Sequence, residues 1–291
     1  MSYRAVKGSE AVAELARRFP QLYVAPADDA LDRYRLAAGR GIVPEGADLS
    51  HFKTTPDDEL REVETPAGTV EVLFLENRAD FETFLRIIGH KAQPVEISRT
   101  VGAITYRGIA DWAAIAAVHA AYVAEGGDDW PAELARLAKQ PGAFRAELVV
   151  ISEGPYSNIP ADETPYAEDE WIRISREIRL NHECAHVVCR RTMPEDVLPV
   201  WDEVTADVAG LLCATGGYDA ELAARFLGVT ADGFAGGRLT EYLDEAQKAA
   251  IDKVAAEVHA ALLRIADTAP QHTADPFGFL LELKRDPLIA Y

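Results

Sequence analysis

The stretch His182-Glu183-Cys184-Ala185-His186 places two histidines four residues apart, with a glutamate directly after the first. A second stretch, Glu203-Val204-Thr205-Ala206-Asp207, follows after a segment long enough for one helix to end and another to return. Residues four apart lie one turn above each other on an α-helix, so both imidazoles can reach one metal ion. These two stretches predict a pair of helices that share a metal site.

The residues around the histidines predict a long helix from Glu168 to Arg191. Acidic side chains open this segment and Arg190-Arg191 closes it, which complements the partial charges at the two ends of a helix. At about 100° per residue, the apolar side chains and both histidines share one broad face. That face contains Trp171, Ile174, Ile178, His182, Ala185, His186 and Cys189. The histidines are therefore expected to point inward, beside apolar neighbours.

The remaining polar residues of the two stretches fit a catalytic metal site. Glu183, offset by one position from His182, can aim at a water molecule on the metal. On the second helix, predicted from Pro199 to about Ala214, Glu203 and Asp207 lie one turn apart on the same face. One of these carboxylates can bind the metal while the other accepts the free ring N–H of a histidine, and the preferred pair is Asp207 with His182.

The two stretches resemble the gluzincin group of zinc metallopeptidases, in which H-E-x-x-H is followed on a downstream helix by E-x-x-x-D. The resemblance covers residues 182–207 only. It implies a zinc ion held by His182, His186 and Glu203, with Glu183 as the general base and Asp207 as the orienting partner of a histidine. It also implies an edge strand that pairs with an extended peptide substrate, for which 147–152 is the candidate.

Other residues compete for parts of this site. Cys189, Asp202 and Glu195 are alternative metal ligands, and two inward histidines can also simply hydrogen-bond within a helical core. No aminopeptidase-type G-x-M-E-N segment can be placed. A metzincin pattern fails because Cys189 and Thr192 stand where glycine and a third histidine are expected. The candidates for a donor that stabilises the oxyanion are Tyr156, Tyr166, Tyr218 and His259.

Elsewhere the chain divides into a mixed half and a helical half. The first half predicts helices over 11–19, 80–88 and 109–123, a hairpin of 60–64 with 69–75, and a strand over 147–151. The second half predicts further helices over 220–227, 240–266 and from Pro276. Between the halves, 155–165 is rich in proline and turn formers, as linkers are. We therefore expect an α+β, zincin-like fold with a mixed lobe over 1–165, a helical lobe over 166–291, and the metal site between them.

Composition narrows the partners and the compartment. The chain has 48 acidic and 29 basic side chains among 291 residues, so its net charge of -19 disfavours nucleic acid and anionic membrane surfaces. Three cysteines cannot form a closed disulfide framework, which favours a reducing compartment. No window has the length of a spanning helix or the pattern of a signal peptide. The expected location is cytoplasmic, and composition sets no oligomeric state.

The leading hypothesis from the sequence is therefore a zinc-dependent hydrolase, most simply a peptidase. Its partner is then a peptide or small amide substrate and its cofactor Zn²⁺. Two alternatives remain open: a non-catalytic or regulatory metal-binding protein of the same fold, and a hydrolase of a small non-peptide amide. An open coordination position favours catalysis, whereas a fourth protein ligand favours a structural site.

Overall fold

The computed structural model describes residues 5–140, 142–193 and 199–285, which form two compact units. The first unit comprises 1–63, 71–98 and 104–152, and the second comprises 64–70, 99–103 and 153–291. The boundary expected between residues 165 and 166 therefore falls inside the second unit. The chain is a mixed α/β protein with a small sheet.

The proline-rich segment 155–165 packs as part of the second unit. It contains two short 3-10 helices, Tyr156–Asn158 and Ala161–Glu163. Tyr156 and Ile159 are buried in the hydrophobic core of that unit. The Ile159 carbonyl accepts a 2.7 Å hydrogen bond from the indole N–H of Trp171. These contacts explain why the division of the chain comes earlier than the prolines suggest.

The main sheet has five strands in the order β1-β2-β3-β5-β4. Their bounds are Val6–Lys7 (β1), Glu59–Thr65 (β2), Gly68–Leu75 (β3), Ala103–Ala110 (β4) and Arg145–Ser152 (β5). The predicted hairpin is confirmed as β2 and β3, which are neighbours in the sheet. β1 runs antiparallel to β2, and β3 runs parallel to β5 with Val72 opposite Val149.

The prediction of an edge strand at Glu147–Ser152 is wrong, because β5 lies between β3 and β4. Its residues 148–152 are all buried, as are 72–75 in β3. A continuous apolar run of this kind is typical of a strand covered on both faces. The run Leu-Val-Val-Ile at 148–151 therefore indicates a central strand.

The helices of the first unit follow the sequence pattern in part. They are Ser9–Arg18 (α1), Leu31–Arg40 (α2), Arg78–Ile88 (α3), Trp112–Ala124 (α4) and Trp130–Leu137 (α5), with a 3-10 helix at Pro20–Tyr23. α1 and α3 confirm two predicted helices, whereas α2 and α5 were not predicted. The helix expected from Ile109 begins three residues later at Trp112. The reason is local, since β4 continues to Ala110 and the Asp111 side chain caps the helix by accepting from the Ala114 N–H.

The second unit is largely helical. Its helices are Glu168–Thr192 (α6), Pro199–Thr215 (α7), Ala220–Leu227 (α8), Glu245–Ala249 (α9), Ile251–Thr268 (α10) and Pro276–Leu283 (α11). A two-stranded ribbon of Val229–Thr230 (β6) and Gly233–Phe234 (β7) follows α8. The helix predicted over 240–266 is broken, because a 3-10 helix at Arg238–Tyr242 precedes a new start, where Asp244 and Gln247 form a capping box. Within the described part of the chain, no helix has both the length and the apolar character needed to cross a bilayer.

α6 and α7 pack closely at one glycine. A Cβ atom built on Gly210 of α7 would lie 2.9 Å from the Ile178 carbonyl oxygen and 3.6 Å from the Cβ of His182, both on α6. A side chain at this position would therefore collide with the α6 backbone. Gly210 lets the two helices approach beside the first histidine of the H-E-x-x-H stretch.

Candidate metal centre

α6 and α7 bring His182, His186 and Glu203 together within the second unit. The Nε2 atoms of the two imidazoles are 3.0 Å apart. The Glu203 carboxylate places Oε2 3.4 Å from His182 Nε2 and Oε1 3.5 Å from His186 Nε2. All three side chains are largely buried, with 7%, 14% and 17% of their surfaces exposed. The three predicted ligands therefore converge on one small region.

The spacing of these atoms suits a small tetrahedral cation. Zinc binds histidine nitrogen and carboxylate oxygen at about 2.0–2.1 Å, which sets neighbouring donor atoms about 3.3–3.4 Å apart in a tetrahedron. The two Nε2 atoms are 3.0 Å apart, and each lies 3.4–3.5 Å from a different oxygen of Glu203. One donor atom from each residue lies within 4.8 Å of the others, so this donor set is compatible with a zinc ion.

Asp207 contacts the other nitrogen of the first histidine, as the preferred pairing predicts. Its Oδ1 atom lies 2.8 Å from His182 Nδ1, and the carboxylate is buried. The Tyr156 hydroxyl donates to the same oxygen at 2.5 Å, and Arg238 donates to Oδ2 at 2.6 Å. A carboxylate facing Nδ1 holds the ring proton there, so Nε2 keeps its lone pair for a metal.

The second histidine has a matching partner. Asp202 Oδ2 lies 2.9 Å from His186 Nδ1, while its Oδ1 contacts the ammonium group of Lys284. The sequence makes Asp202 an alternative candidate for a metal ligand, but in the structure it contacts Nδ1 of His186 and not the Nε2 side of that ring. Both imidazoles are thus oriented by a carboxylate, and both direct Nε2 at Glu203.

The pKa values of these groups reflect the same contacts. Burial lowers the pKa of His182, but hydrogen bonds to Asp207 and Glu203 outweigh it and leave the pKa raised. Burial alone would lower the pKa of His186, but its contacts with Asp202 and Glu203 outweigh burial and raise the pKa well above its usual value. For Glu203 the opposite holds, since burial raises the pKa and the two histidines bring it well below its ordinary range. The metal-free cluster thus attracts positive charge.

These shifts predict how metal binding depends on pH. The pKa values of both histidines are raised in the folded protein. Protonation of these histidines therefore stabilises the metal-free protein fully below about pH 6.5. This stabilisation is lost as the pH rises through the pKa values of the folded state. Zinc needs neutral imidazoles. We therefore expect weaker zinc binding at pH 6 than at pH 8, and proton release on binding at pH 7. Calorimetric titration in two buffers of different ionisation enthalpy measures both, and a pH-independent affinity would contradict the assignment.

Glu183 lies next to His182 on α6 and is 9% exposed. Its carboxylate interacts electrostatically with His186, whose pKa it helps to raise. The predicted general base is therefore close to the ligand cluster without being one of its three converging side chains.

The four oxyanion candidates have different surroundings. The Tyr156 hydroxyl donates to Asp207 and lies 3.0 Å from His182 Nδ1, on the side of the ring away from Nε2. Tyr166 stacks on Trp171 with ring centroids 5.9 Å apart, and His259 lies on α10. Within the described residues, no hydrogen bond or ion pair joins Tyr166 or His259 to the cluster. The Tyr218 hydroxyl is buried, and burial together with Asp207 raises its pKa.

Two other alternative ligands are also accounted for. Cys189 is buried one turn beyond His186, and burial raises the pKa of its thiol although the charge of Lys284 acts in the opposite direction. It is not among the residues that converge within the described cluster. Glu195 lies outside the described residues.

Three residues that the motifs do not contain also reach the cluster. Arg238 and Tyr242 lie on one 3-10 helix, where Arg238 contacts Asp207 and lies 5.0 Å over the Tyr156 ring. Burial raises the pKa of the Tyr242 hydroxyl, and the Glu203 carboxylate adds to that shift. Lys284, at the end of α11, contacts Asp202. Their sequence signal is weak, because Gly236-Gly237 before Arg238 indicates only a turn and Lys284 resembles an ordinary charged helix end.

Two histidines and a glutamate with oriented lone pairs define a class of site, namely a cluster able to hold one divalent metal ion. The chain belongs to a family of unknown function, DUF7005, whose model matches residues 4–276. No curated protein and no solved structure matched the chain.

Proposed function

We propose that the protein is a zinc-dependent hydrolase that cleaves peptides. The observation that carries this proposal is the convergence of both Nε2 atoms on the Glu203 carboxylate, with another carboxylate beside each Nδ1 atom. Both Nδ1 atoms face carboxylates, so both Nε2 atoms of the neutral rings present lone pairs to each other and to Glu203. Buried acceptors that face one another repel unless a proton or a metal ion lies among them. A metal ion bound to all three side chains removes this conflict.

The charges around the cluster support a divalent ion. In the described part of the chain, four carboxylates and two cations lie in or beside this network: Glu183, Asp202, Glu203, Asp207, Arg238 and Lys284. With neutral imidazoles the network carries two negative charges in excess. Uncompensated buried charge is costly. Protons on the two imidazoles balance this excess in the metal-free protein, and one divalent cation can take their place.

The chain's own residues then have distinct parts in hydrolysis. Zinc, when bound, polarises a carbonyl and lowers the pKa of a coordinated water toward neutrality. Glu183 takes a proton from the attacking water and passes it to the leaving amine. Asp207 and Asp202 hold the imidazole rings in the tautomer that binds metal.

A zincin-like fold and a peptide substrate are further parts of the proposal. They are supported by the resemblance of the two stretches to gluzincins and by the pairing of α6 with α7, which carry H-E-x-x-H and E-x-x-x-D. A catalytic site also needs an open coordination position. Three protein ligands would leave a tetrahedral ion one position for water.

Metal analysis combined with peptide turnover tests this proposal. We expect about one zinc per chain by mass spectrometry of the purified protein, in keeping with a single three-ligand site. A library of short peptides should be hydrolysed, with turnover lost on chelation and restored by added zinc. Undiminished turnover after complete removal of metal would contradict the proposal. Stoichiometric zinc with no turnover would instead favour a non-catalytic metal-binding protein.

The position of Tyr156 gives a separate prediction. Because its hydroxyl faces Asp207 and not the Nε2 side, Tyr156→Phe should keep kcat within about tenfold of the wild type at saturating zinc. Loss of an oxyanion donor costs about 10²- to 10³-fold in kcat. Steady-state kinetics of Tyr156→Phe, with Tyr166→Phe as its control, distinguish these two effects on kcat. A fall in kcat of about 10²-fold or more would mean that Tyr156 contacts the reacting carbonyl.

A further inference from the structure

Lys284 is a buried lysine beside the proposed metal centre. It caps the C-terminal end of α11, and its side chain is only 3% exposed. Its ammonium group contacts the Asp202 carboxylate. Lysine is rarely buried, because an ammonium group without partners is costly to remove from water. The contact with Asp202 therefore fixes both side chains.

Asp202 divides its two oxygen atoms between Lys284 and His186. Oδ1 contacts the ammonium group, and Oδ2 lies 2.9 Å from His186 Nδ1. The Asp202 side chain is 37% exposed, so packing alone does not fix its rotamer. With Oδ1 held by Lys284, Oδ2 is directed at Nδ1 and keeps the ring proton there.

α11 is held in place by contacts that do not involve the ammonium group. Leu280 is fully buried in a small cluster formed with residues of α6 and α7: Ala185, Cys189, Ala206 and Ala209. At the other end of the helix, Asp275 accepts from the Gly278 N–H. Removal of the Lys284 charge should therefore leave α11 docked between α6 and α7.

We propose that Lys284 is a positioning residue for the metal centre, acting through Asp202 on His186. This proposal rests on the zinc site proposed above and extends it to the C-terminal helix, which neither motif includes. The ammonium group does not touch the metal or the substrate. It sets the orientation of one ligand, so its loss changes metal affinity and coordination geometry more than folding.

The test compares metal binding in four forms of the full chain. Lys284→Met keeps the length of the side chain without its charge, Lys284→Arg restores a cation, and Lys248→Met on α9 is a control for loss of an exposed lysine. Competition with a chromophoric chelator should show zinc binding about 10- to 100-fold weaker in Lys284→Met. We expect Lys284→Arg to recover most of the affinity and Lys248→Met to match the wild type. The visible spectrum of bound cobalt should change in Lys284→Met alone.

The outcomes separate this inference from the proposed function. A wild-type chain that binds neither zinc nor cobalt would overturn both. A wild-type chain that binds metal, with unchanged affinity and spectrum in Lys284→Met, would overturn the role of Lys284 only. The role of Lys284 would also be overturned if Lys284→Arg failed to recover the zinc affinity, or if Lys248→Met lost the same affinity. Circular dichroism verifies that each variant is folded.

Discussion

Replacing Glu183 by glutamine should abolish most hydrolysis while zinc stays bound. General base catalysis contributes about 10²- to 10⁴-fold, so we expect a fall in kcat of that size. Glutamine keeps the shape of the side chain but cannot accept the proton of the attacking water at neutral pH. The three side chains that converge on the metal are untouched, so one zinc per chain should remain. Kinetics at saturating peptide and metal analysis of the same sample measure both effects.

Glu170→Gln is the matched control for this experiment. Glu170 lies on the same helix, is 49% exposed, and pairs at 3.8 Å with Arg173. Its replacement should alter neither turnover nor zinc content, since exposed ion pairs contribute little. Peptide hydrolysis by Glu183→Gln at the wild-type rate would disprove the assignment of the base. Loss of zinc from that variant would instead make Glu183 a ligand.

Replacing His186 by alanine should remove stoichiometric zinc. His186 supplies one of the three converging donor atoms, and its loss leaves only His182 and Glu203 to hold the ion. The alanine variant also leaves Asp202 without its imidazole partner, although Lys284 still contacts that carboxylate. We expect zinc to be lost on gel filtration and turnover to be lost with it, because both depend on the same ion.

His259→Ala is the control for the loss of a histidine within the same unit. His259 lies on α10 and is partly exposed. This variant should keep its zinc, and normal turnover would also remove His259 from the oxyanion candidates. If His186→Ala kept one zinc per chain while remaining folded by circular dichroism, the ligand assignment would fail.

The helix pair could be predicted because its signals are local in sequence. The 3.6-residue period from Trp171 to Cys189 and the charges at both ends define α6, and this helix is found at Glu168–Thr192. The spacing of Glu203 and Asp207 places them one turn apart on α7. Convergence of these residues then requires only that two consecutive helices pack against each other.

The buried cations could not be predicted because they depend on tertiary packing. Arg238 lies 31 residues beyond Asp207 and reaches it from a 3-10 helix that follows a glycine pair. Lys284 reaches Asp202 from the last described helix, 82 residues away. Arg238 and Lys284 belong to no periodic sequence pattern, because each is an isolated charged residue on or at the end of a short helix. The role of Asp202 could not be predicted either, because it depends on which ring nitrogen of His186 the carboxylate contacts.

Two errors in the fold have physical causes of the same kind. The run 148–151 was assigned to an edge although its continuous apolar character is typical of a central strand. Prolines at 155, 160 and 165 indicated a linker, yet Tyr156 and Ile159 are core residues. Proline restricts the backbone but does not prevent a segment from packing. In both places the burial of side chains, and neither the motif resemblance nor the prolines, decides the structure.

Gly210 has a consequence for which ions the centre accepts. The hydrogen atom that replaces a side chain there lets α7 lie against α6 beside His182, and on the same pair of helices the Glu203 carboxylate lies 3.4 Å from the His182 ring. Such a short separation selects ions by radius. Calcium binds oxygen at about 2.3–2.6 Å with six to eight ligands and would need a wider, oxygen-rich cage. With a glycine at this contact and two imidazoles among its three candidate ligands, a metal centre here would favour small, nitrogen-binding ions over calcium.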